Sequence, residues 1–193
     1  MTALLETDSA RLLDAVKHLL AAKGIATQDE IDARVRVTDA GSPAQGARMV
    51  ARAWIDPAYR TRLLADGALA AEEAGIPMRG LPPLGVLENQ PGLHHLVVCT
   101  LCSCYPRAVL GYPPFWFKSQ AYRARAVRDP AGVLAEWSTV LPAGTKLRVV
   151  DSTADYRWMV LPLRPAGTEG WDADRLASLV RDTDMIGVTV PTL

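Results

Sequence analysis

The residues best suited to chemistry are three cysteines that fall within six positions. They occupy the hexapeptide Cys99-Thr100-Leu101-Cys102-Ser103-Cys104, directly after an apolar run that ends at Val98. If the backbone nitrogens of Ser103 and Cys104 lose their protons, they and the sulfurs of Cys102 and Cys104 close continuous chelate rings in one plane. Cys99 would then add an axial thiolate and leave the opposite position open, as catalytic metal sites do. The spacing therefore predicts a catalytic metal centre.

Other uses of the three cysteines fit the sequence less well. A zinc knuckle could combine Cys99 and Cys102 with His94 or His95, but the sequence lacks a second Cys-x-x-Cys pair. A thioredoxin-like redox pair leaves Cys104 without a role. Inert buried cysteines are common singly, yet three in six residues are improbable. An odd number of clustered cysteines also excludes a disulfide framework as the source of stability.

The composition is that of one domain with an appendage, or of two small domains. The chain has 193 residues, 49% of them hydrophobic, and its 21 Lys and Arg balance 21 Asp and Glu. Because the net charge is zero and basic stretches are lacking, nucleic acid and membrane surfaces are not expected partners. The first ten residues contain Glu6 and Asp8 and no basic start before an apolar run. We therefore expect a cytoplasmic protein without a secretory signal or a membrane span.

Helical periodicity dominates residues 9–75. Gly24 stands where a helix cap is expected, and Thr27 with Glu30 has the spacing of a capping box that opens the next helix. Two further helices are predicted, over Pro43–Tyr59 with a break at Pro57 and over Arg60–Ala74. Residues 1–75 are thus predicted to form a helical N-terminal arm.

The pattern changes after a stretch rich in proline and glycine, residues 76–92, which predicts a linker. Short β-branched runs then predict strands, with helices between them. The predicted strands are Leu93–Val98, Thr145–Asp151, Tyr156–Leu161 and Ile186–Val190, and the predicted helices are Ser119–Arg128 and Asp172–Arg181. The expected fold class is α+β, in which the arm is followed by a compact layered α/β domain, residues 93–193, that carries the metal loop.

The hexapeptide and much of the chain resemble a known family. Val98 to Cys104 resembles the metal-binding motif of the nitrile hydratase α subunit, which the γ subunit of thiocyanate hydrolase shares. Other segments similar to the family are Ala53–Tyr59, Val109–Gly111, Trp116–Ser119, Tyr122–Arg125 and Leu161–Trp171. The resemblance covers almost the whole chain and implies the family's fold, with the N-terminal arm wrapping a partner subunit.

The resemblance implies a role for each residue of the motif. Cys99 would stay a thiolate, Cys102 would be oxidised to a sulfinate and Cys104 to a sulfenate, while the backbone nitrogens of Ser103 and Cys104 complete the metal site. Thr100 is similar to the cobalt-type motif, where the iron type usually has serine, so cobalt(III) is expected rather than iron(III). The implied reaction adds water to a nitrile to give an amide. Its nucleophile is either water activated at the metal or the Cys104 sulfenate, with the Ser103 hydroxyl close by.

Such a site also implies partners. A trivalent ion with three sulfur ligands and two amidates leaves two negative charges, which need cationic hydrogen-bond donors. In the family these are arginines of a β-type subunit, whole or split into two chains. The resemblance therefore implies a hetero-oligomer and an activator or metallochaperone protein. It also implies that a chain expressed alone is incomplete and free of metal.

Three positions are candidates for the substrate pocket. The family usually has a tryptophan and a proline three residues after the motif, where this chain has Arg107 and Ala108. Facing the pocket, Arg107 would suit a bulky or polar nitrile such as the nucleoside nitrile toyocamycin, or thiocyanate; otherwise it turns to solvent or pairs with a carboxylate. Gln90 could replace a family glutamine that is missing from Arg79–Pro83, and Trp116 is the third candidate.

Three functions remain open at this point. The favoured one is the α-type subunit of a cobalt nitrile hydratase. The alternatives are the γ-type subunit of a thiocyanate hydrolase, which releases carbonyl sulfide and ammonia, and a non-catalytic metal-binding or scaffold subunit. His94 and His95 are expected at the surface or a subunit interface. Asp151 and Asp155 are expected to be solvated or capping rather than an acid–base pair.

Overall fold

The computed structural model describes the backbone of residues 2–193 and the side chains from residue 8 onward. The chain divides into two units, residues 1–40 and Gly41–Leu193. The helices are α1 (Thr2–Ala22), α2 (Gln28–Asp39), α3 (Pro43–Ile55), α4 (Pro57–Ala65), α5 (Gly67–Glu73), α6 (Arg107–Leu110), α7 (Phe115–Lys118), α8 (Gln120–Arg128), α9 (Pro130–Glu136), α10 (Ala173–Ala177) and α11 (Asp182–Ile186). The strands are β1 (Leu84–Glu88), β2 (Leu93–Val98), β3 (Lys146–Asp151) and β4 (Arg157–Leu161).

The first unit is a helical hairpin of α1 and α2. The predicted capping box is confirmed, because the Thr27 side chain accepts the Glu30 N–H while the Glu30 carboxylate accepts the Thr27 N–H. Gly24 has a φ of +64° and lies in the turn between the helices, as expected for a cap. Leu12, Leu13 and Leu19 of α1 are more than half exposed. The hairpin thus has apolar surface that α1 and α2 leave uncovered.

The second unit is built on two pairs of parallel strands. β1 pairs with β4, and β2 pairs with β3 in a register that sets Leu93 beside Lys146 and Val98 beside Asp151. The run Leu96–Val98 is fully buried, as is usual for strands that are covered on both faces. Helix α3 begins at a proline and packs against α6 and α10. The mixed helices and small sheets confirm the α+β fold class.

Between residues 60 and 92, the boundaries of the predicted elements differ from those in the structure. The predicted helix Arg60–Ala74 is broken at Asp66, whose carboxylate accepts the N–H groups of Ala68 and Leu69 and caps α5. The predicted linker 76–92 contains β1, so it belongs to the second unit rather than separating two domains. The reason is that β1 pairs with β4, a partner far along the chain. Accordingly, α3, α4 and α5 also belong to the second unit rather than to an arm that extends to residue 75.

The C-terminal strand prediction, Ile186–Val190, is wrong. Ile186 ends α11, and Gly187 follows with a φ of +87°. The buried carboxylate of Asp184 accepts the N–H of Arg181 and, at 2.5 Å, the hydroxyl of Thr189. These local hydrogen bonds fold the segment into a helix and turn despite its β-branched composition.

The predicted helix from Asp172 is correct in place but ends earlier, at Ala177. Within residues 2–193, no helix is both long and apolar enough to cross a membrane.

A glycine-to-alanine pair tests the contact between α11 and β2. A Cβ at Gly187 would lie 2.0 Å from the carbonyl oxygen of His95, whereas one at Gly144, which also has a positive φ, meets nothing within 4 Å. We expect Gly187→Ala to lower the free energy of unfolding by about 3 kcal/mol and Gly144→Ala by about 1 kcal/mol. Urea unfolding of both variants measures the difference, and equal losses would contradict the clash.

Candidate metal centre

The cysteine loop follows β2 and leaves the sheet at the end of the parallel pair β2–β3. Cys99 comes directly after Val98, and the chain re-enters regular structure at Arg107, the first residue of α6. The aromatic ring of Tyr105 packs edge-on against Phe117, with centroids 5.0 Å apart. The buried strand before the loop and the packed ring at its far end hold its two ends in the core.

The three sulfurs converge at one point. The Sγ atoms of Cys99 and Cys102 are 3.6 Å apart, those of Cys102 and Cys104 are 3.0 Å apart, and all three lie within 4.8 Å of one another. Cys99 and Cys104 are buried, whereas Cys102 is exposed, and none of the three is in a disulfide. The N–H of Cys102 donates to the Cys99 sulfur at 3.2 Å, which closes the first turn of the loop.

The sulfurs of Cys102 and Cys104 are within hydrogen-bond distance, and the two thiols differ in acidity. A hydrogen bond from the Cys104 thiol lowers the pKa of Cys102, and the backbone N–H groups of Ser103 and Cys104, which point at its sulfur, lower it further. Burial raises the pKa of Cys104 to about 12, although the nearby guanidinium of Arg157 opposes this change. The exposed sulfur is therefore the more acidic one, and two amide groups already face it.

This donor set suits a transition metal held by sulfur and amide nitrogen. Three sulfurs within 4.8 Å of one another can reach one metal ion, and the N–H groups of Ser103 and Cys104 face the Cys102 sulfur. These are the groups that the sequence predicted as ligands, in Cys99, Cys102, Ser103 and Cys104. Among the described residues, the buried Nη1 of Arg157 has no hydrogen-bond partner. A cation with an unused donor beside Cys104 suits a site whose ligands carry excess negative charge.

Two side chains from other elements hold the loop. Asp151, at the end of β3, accepts both the N–H and the hydroxyl of Thr100. Arg123, on α8, donates to the carbonyl oxygen of Leu101 at 3.0 Å. Neither contact is visible as a local sequence pattern, although the adjacent ends of parallel strands could have suggested Asp151, which was expected only to be solvated or capping.

The structure does not bring Gln90 to the cysteines. Gln90 forms a bridge to Leu93 at the start of β2, whereas Cys99 follows the end of the same strand. Six residues of strand separate the two ends by roughly 20 Å. The exposed Gln90 side chain donates weakly to Glu88, at 3.4 Å. This position does not support its expected role as a replacement for the family glutamine.

Trp116 lies in a cluster of aromatic residues. Its ring contacts Phe117, Tyr122 and Trp137 edge-on, with centroids 5.0–5.8 Å apart. It also borders a cavity of about 360 Å³ together with Ser119, Arg125 and Glu136, and the lining of that cavity contains no cysteine. The indole therefore packs within this aromatic cluster. The prediction that Trp116 lines a substrate pocket gains no support.

Arg107 is exposed at the start of α6, three residues after Cys104. Its guanidinium lies over the ring of Tyr112, 5.2 Å from the centroid. Within this chain, therefore, the side chain lies at the surface near the loop and packs on an aromatic ring.

The two histidines before the loop are buried, so the expectation of a surface position is wrong. His94 donates from Nε2 to the carbonyl oxygen of Gly187 at 2.7 Å and accepts from Asn89 at Nδ1. The N–H of His95 donates to the Asn89 side chain at 2.8 Å. Burial lowers the pKa of both imidazoles. Sequence reasoning missed Asn89, whose amide satisfies both histidines and ties β2 to the preceding segment.

Comparisons with known proteins agree with this geometry. The family model "Nitrile hydratase, alpha chain" matches residues 7–189. The "Low-molecular weight cobalt-containing nitrile hydratase subunit alpha" of Rhodococcus rhodochrous is 48% identical over 185 residues, which cover 95% of this chain and 89% of that protein. A solved recombinant thiocyanate hydrolase with partially modified cobalt centres matches with a TM-score of 0.87 and 40% identity, covering 96% of this chain and 90% of that one.

The iron type is represented among the solved structures as well. A double mutant of the Fe-type nitrile hydratase of Comamonas testosteroni Ni1 matches with a TM-score of 0.82 and 38% identity, covering 96% of this chain and 91% of that one. The chain is therefore similar to solved structures of both metal types. From the family match over nearly all of its length and the convergence of three sulfurs on one point, this chain belongs to the nitrile hydratase alpha-chain family.

Proposed function

We propose that this chain is the α-type subunit of a cobalt nitrile hydratase and hydrates a nitrile to the corresponding amide. One observation carries the proposal: the sulfurs of Cys99, Cys102 and Cys104 lie within 4.8 Å of one another, and the N–H groups of Ser103 and Cys104 face the Cys102 sulfur. Thr100 and the 48% identity to a cobalt-containing α subunit favour cobalt(III) over iron(III).

Bound cobalt(III) would supply Lewis acidity that polarises the nitrile or activates water. In the proposed metal site, Cys99 would be a thiolate, Cys102 a sulfinate and Cys104 a sulfenate. The two oxidised sulfurs would donate less electron density to the metal than thiolates do. The Ser103 hydroxyl, in the half-buried middle of the loop, holds the attacking water by a hydrogen bond. Cys104 is the second nucleophile candidate, through its sulfenate oxygen.

The proposal includes partners. The ligand set carries two negative charges, and this chain offers Arg157 beside Cys104, which leaves charge for a β-type subunit to neutralise with its own arginines. Cys102 is exposed and Leu101 is 85% exposed, so the loop opens on a surface that such a subunit can cover. The apolar face of the α1–α2 hairpin is the second surface that a partner would bury. An activator protein would load the metal.

Metal analysis and intact mass of the chain co-expressed with a β-type subunit test the proposal. We expect about one cobalt per chain and three added oxygens, two on a sulfinate and one on a sulfenate, together with conversion of nitriles to amides. Zinc without added oxygen would overturn the hydratase mechanism. Loaded and oxidised cobalt without turnover of any nitrile or of thiocyanate would instead indicate a metal-binding scaffold subunit.

Arg107 favours one second candidate, the γ-type subunit of a thiocyanate hydrolase. Its charge stands at the surface three residues after Cys104, where a cation would attract an anionic substrate. The guanidinium of Arg107 could also donate a hydrogen bond to a polar but neutral nitrile such as a nucleoside nitrile. Because charge-assisted hydrogen bonds are worth roughly 1.5–3 kcal/mol, we expect Arg107→Trp to reduce turnover of thiocyanate about 10- to 100-fold if that anion is the substrate.

The matched control for that variant is Arg107→Lys, which keeps the charge and shortens the side chain. It should retain most thiocyanate turnover, measured as ammonia release in the complex with the partner. If Arg107→Trp leaves the kcat/KM values for thiocyanate and for neutral nitriles unchanged, Arg107 does not contact substrate and the second candidate loses its support.

A further inference from the structure

Asp151 reaches the cysteine loop from the neighbouring strand. The parallel register sets it beside Val98, the residue that precedes the loop. One carboxylate oxygen accepts the N–H of Thr100 at 3.0 Å, and the other accepts the Thr100 hydroxyl at 2.5 Å. Both hydrogen-bond donors of Thr100 are therefore bound by one side chain that belongs to a different element.

The position of Thr100 gives these two bonds a consequence for the sulfurs. Thr100 lies between Cys99 and Cys102 in the chain. Its backbone conformation therefore affects the distance between the Cys99 sulfur and the sulfurs of Cys102 and Cys104. Cys99 follows the fully buried end of β2 and is fixed there, so the direction in which the chain leaves Cys99 decides where Cys102 and Cys104 lie. The carboxylate fixes that direction at the first residue after Cys99.

A second contact holds the next residue from another element. Arg123 donates to the carbonyl oxygen of Leu101 at 3.0 Å, and its buried Nε has no partner among the described residues. The loop backbone is thus held at Thr100 from β3 and at Leu101 from α8. An irregular loop would otherwise lose conformational entropy when it binds a metal, and a loop already held in place loses less.

We propose that Asp151 is a positioning residue of the metal site, which acts through Thr100 to hold the three sulfurs at metal-binding distance. The inference rests on the proposed function and extends it. Asp151 touches neither substrate nor metal in this role. The hydroxyl of Thr100, rather than its methyl group, makes the contact, so serine at position 100 preserves both hydrogen bonds while valine, which matches threonine in shape, removes one.

Four variants in the co-expressed complex test this inference. We expect Asp151→Ala to release cobalt to a chelator about 10- to 100-fold faster than the parent, the range for losing a residue that orients a ligand. Thr100→Val should release it about tenfold faster, Thr100→Ser at the parental rate, and Asp151→Asn, which keeps one acceptor oxygen, at an intermediate rate. The sulfur-to-cobalt absorption bands should shift in Asp151→Ala and Thr100→Val while the melting temperature of the complex stays near that of the parent.

The outcomes separate the two proposals. A parent complex that carries no cobalt overturns the proposed function and this inference with it. A loaded parent whose Asp151→Ala and Thr100→Val variants retain cobalt at the parental rate, with unchanged spectra, overturns the positioning role alone. If Asp151→Ala fails to assemble, Thr100→Val against Thr100→Ser decides, because both leave the carboxylate in place. Slow release from Thr100→Val with fast release from Thr100→Ser would also contradict the inference.

Discussion

Cys104→Ser in the complex with a β-type subunit is expected to lose nitrile hydration almost completely. A serine hydroxyl is a weaker ligand than a thiolate and cannot be oxidised to a sulfenate. Cys104 also lies 3.0 Å from Cys102 and supplies the hydrogen bond that keeps the Cys102 sulfur acidic. We therefore expect cobalt per chain to fall and turnover to drop at least about 100-fold, the upper limit for removing an outer partner of a metal ligand.

Ser103→Ala is the matched control for this prediction. It keeps the backbone nitrogen that the metal would use and removes only the hydroxyl. Cobalt content and the three added oxygens should therefore stay as in the parent, while turnover falls by about tenfold at most because one hydrogen bond is lost. Metal analysis, intact mass and nitrile assays on both variants measure the contrast. Cys104→Ser with parental cobalt and activity would show that the loop does not hold the catalytic metal.

The chain expressed without its partner is expected to show no measurable nitrile hydration. Its cysteine loop opens on the surface, since Cys102 and Leu101 are exposed, and Phe115 is 89% exposed nearby in the sequence. An open site keeps water around the charges and leaves them without enough cationic donors, which weakens every electrostatic contribution to the reaction. Co-expression with a β-type subunit should raise activity at least about 100-fold, the effect expected when two or more hydrogen bonds to charged groups are gained.

The comparison needs a control for metal loading as well as for activity. Cobalt content and mass are measured on the chain alone, on the complex, and on a complex whose subunits are mixed after separate purification. Activity that appears only after co-expression assigns the partner a role in loading, whereas activity restored by mixing assigns it a role in the finished site. Full activity of the isolated chain would contradict partner dependence.

The sequence by itself determined which groups of the cysteine loop could bind a metal. Cys99, Cys102, Ser103 and Cys104 are close because they are neighbours along the chain, and chelate rings through adjacent backbone nitrogens depend on covalent geometry alone. The capping box at Thr27 and the buried strand β2 were predictable for the same reason, since caps and apolar runs are local patterns. The family was identified from the resemblance of the cysteine motif and of other segments of the chain to known sequences.

Tertiary structure decided what surrounds the ligands. Thr100 meets Asp151 across 51 positions of sequence and Leu101 meets Arg123 across 22, and such contacts arise only when strands and helices pack. Long-range pairing likewise turned part of the predicted linker into β1 and placed Gln90 at the far end of β2 from the cysteines. Local sequence fixes which atoms can bind a metal, whereas the register of distant strands fixes where those atoms are held.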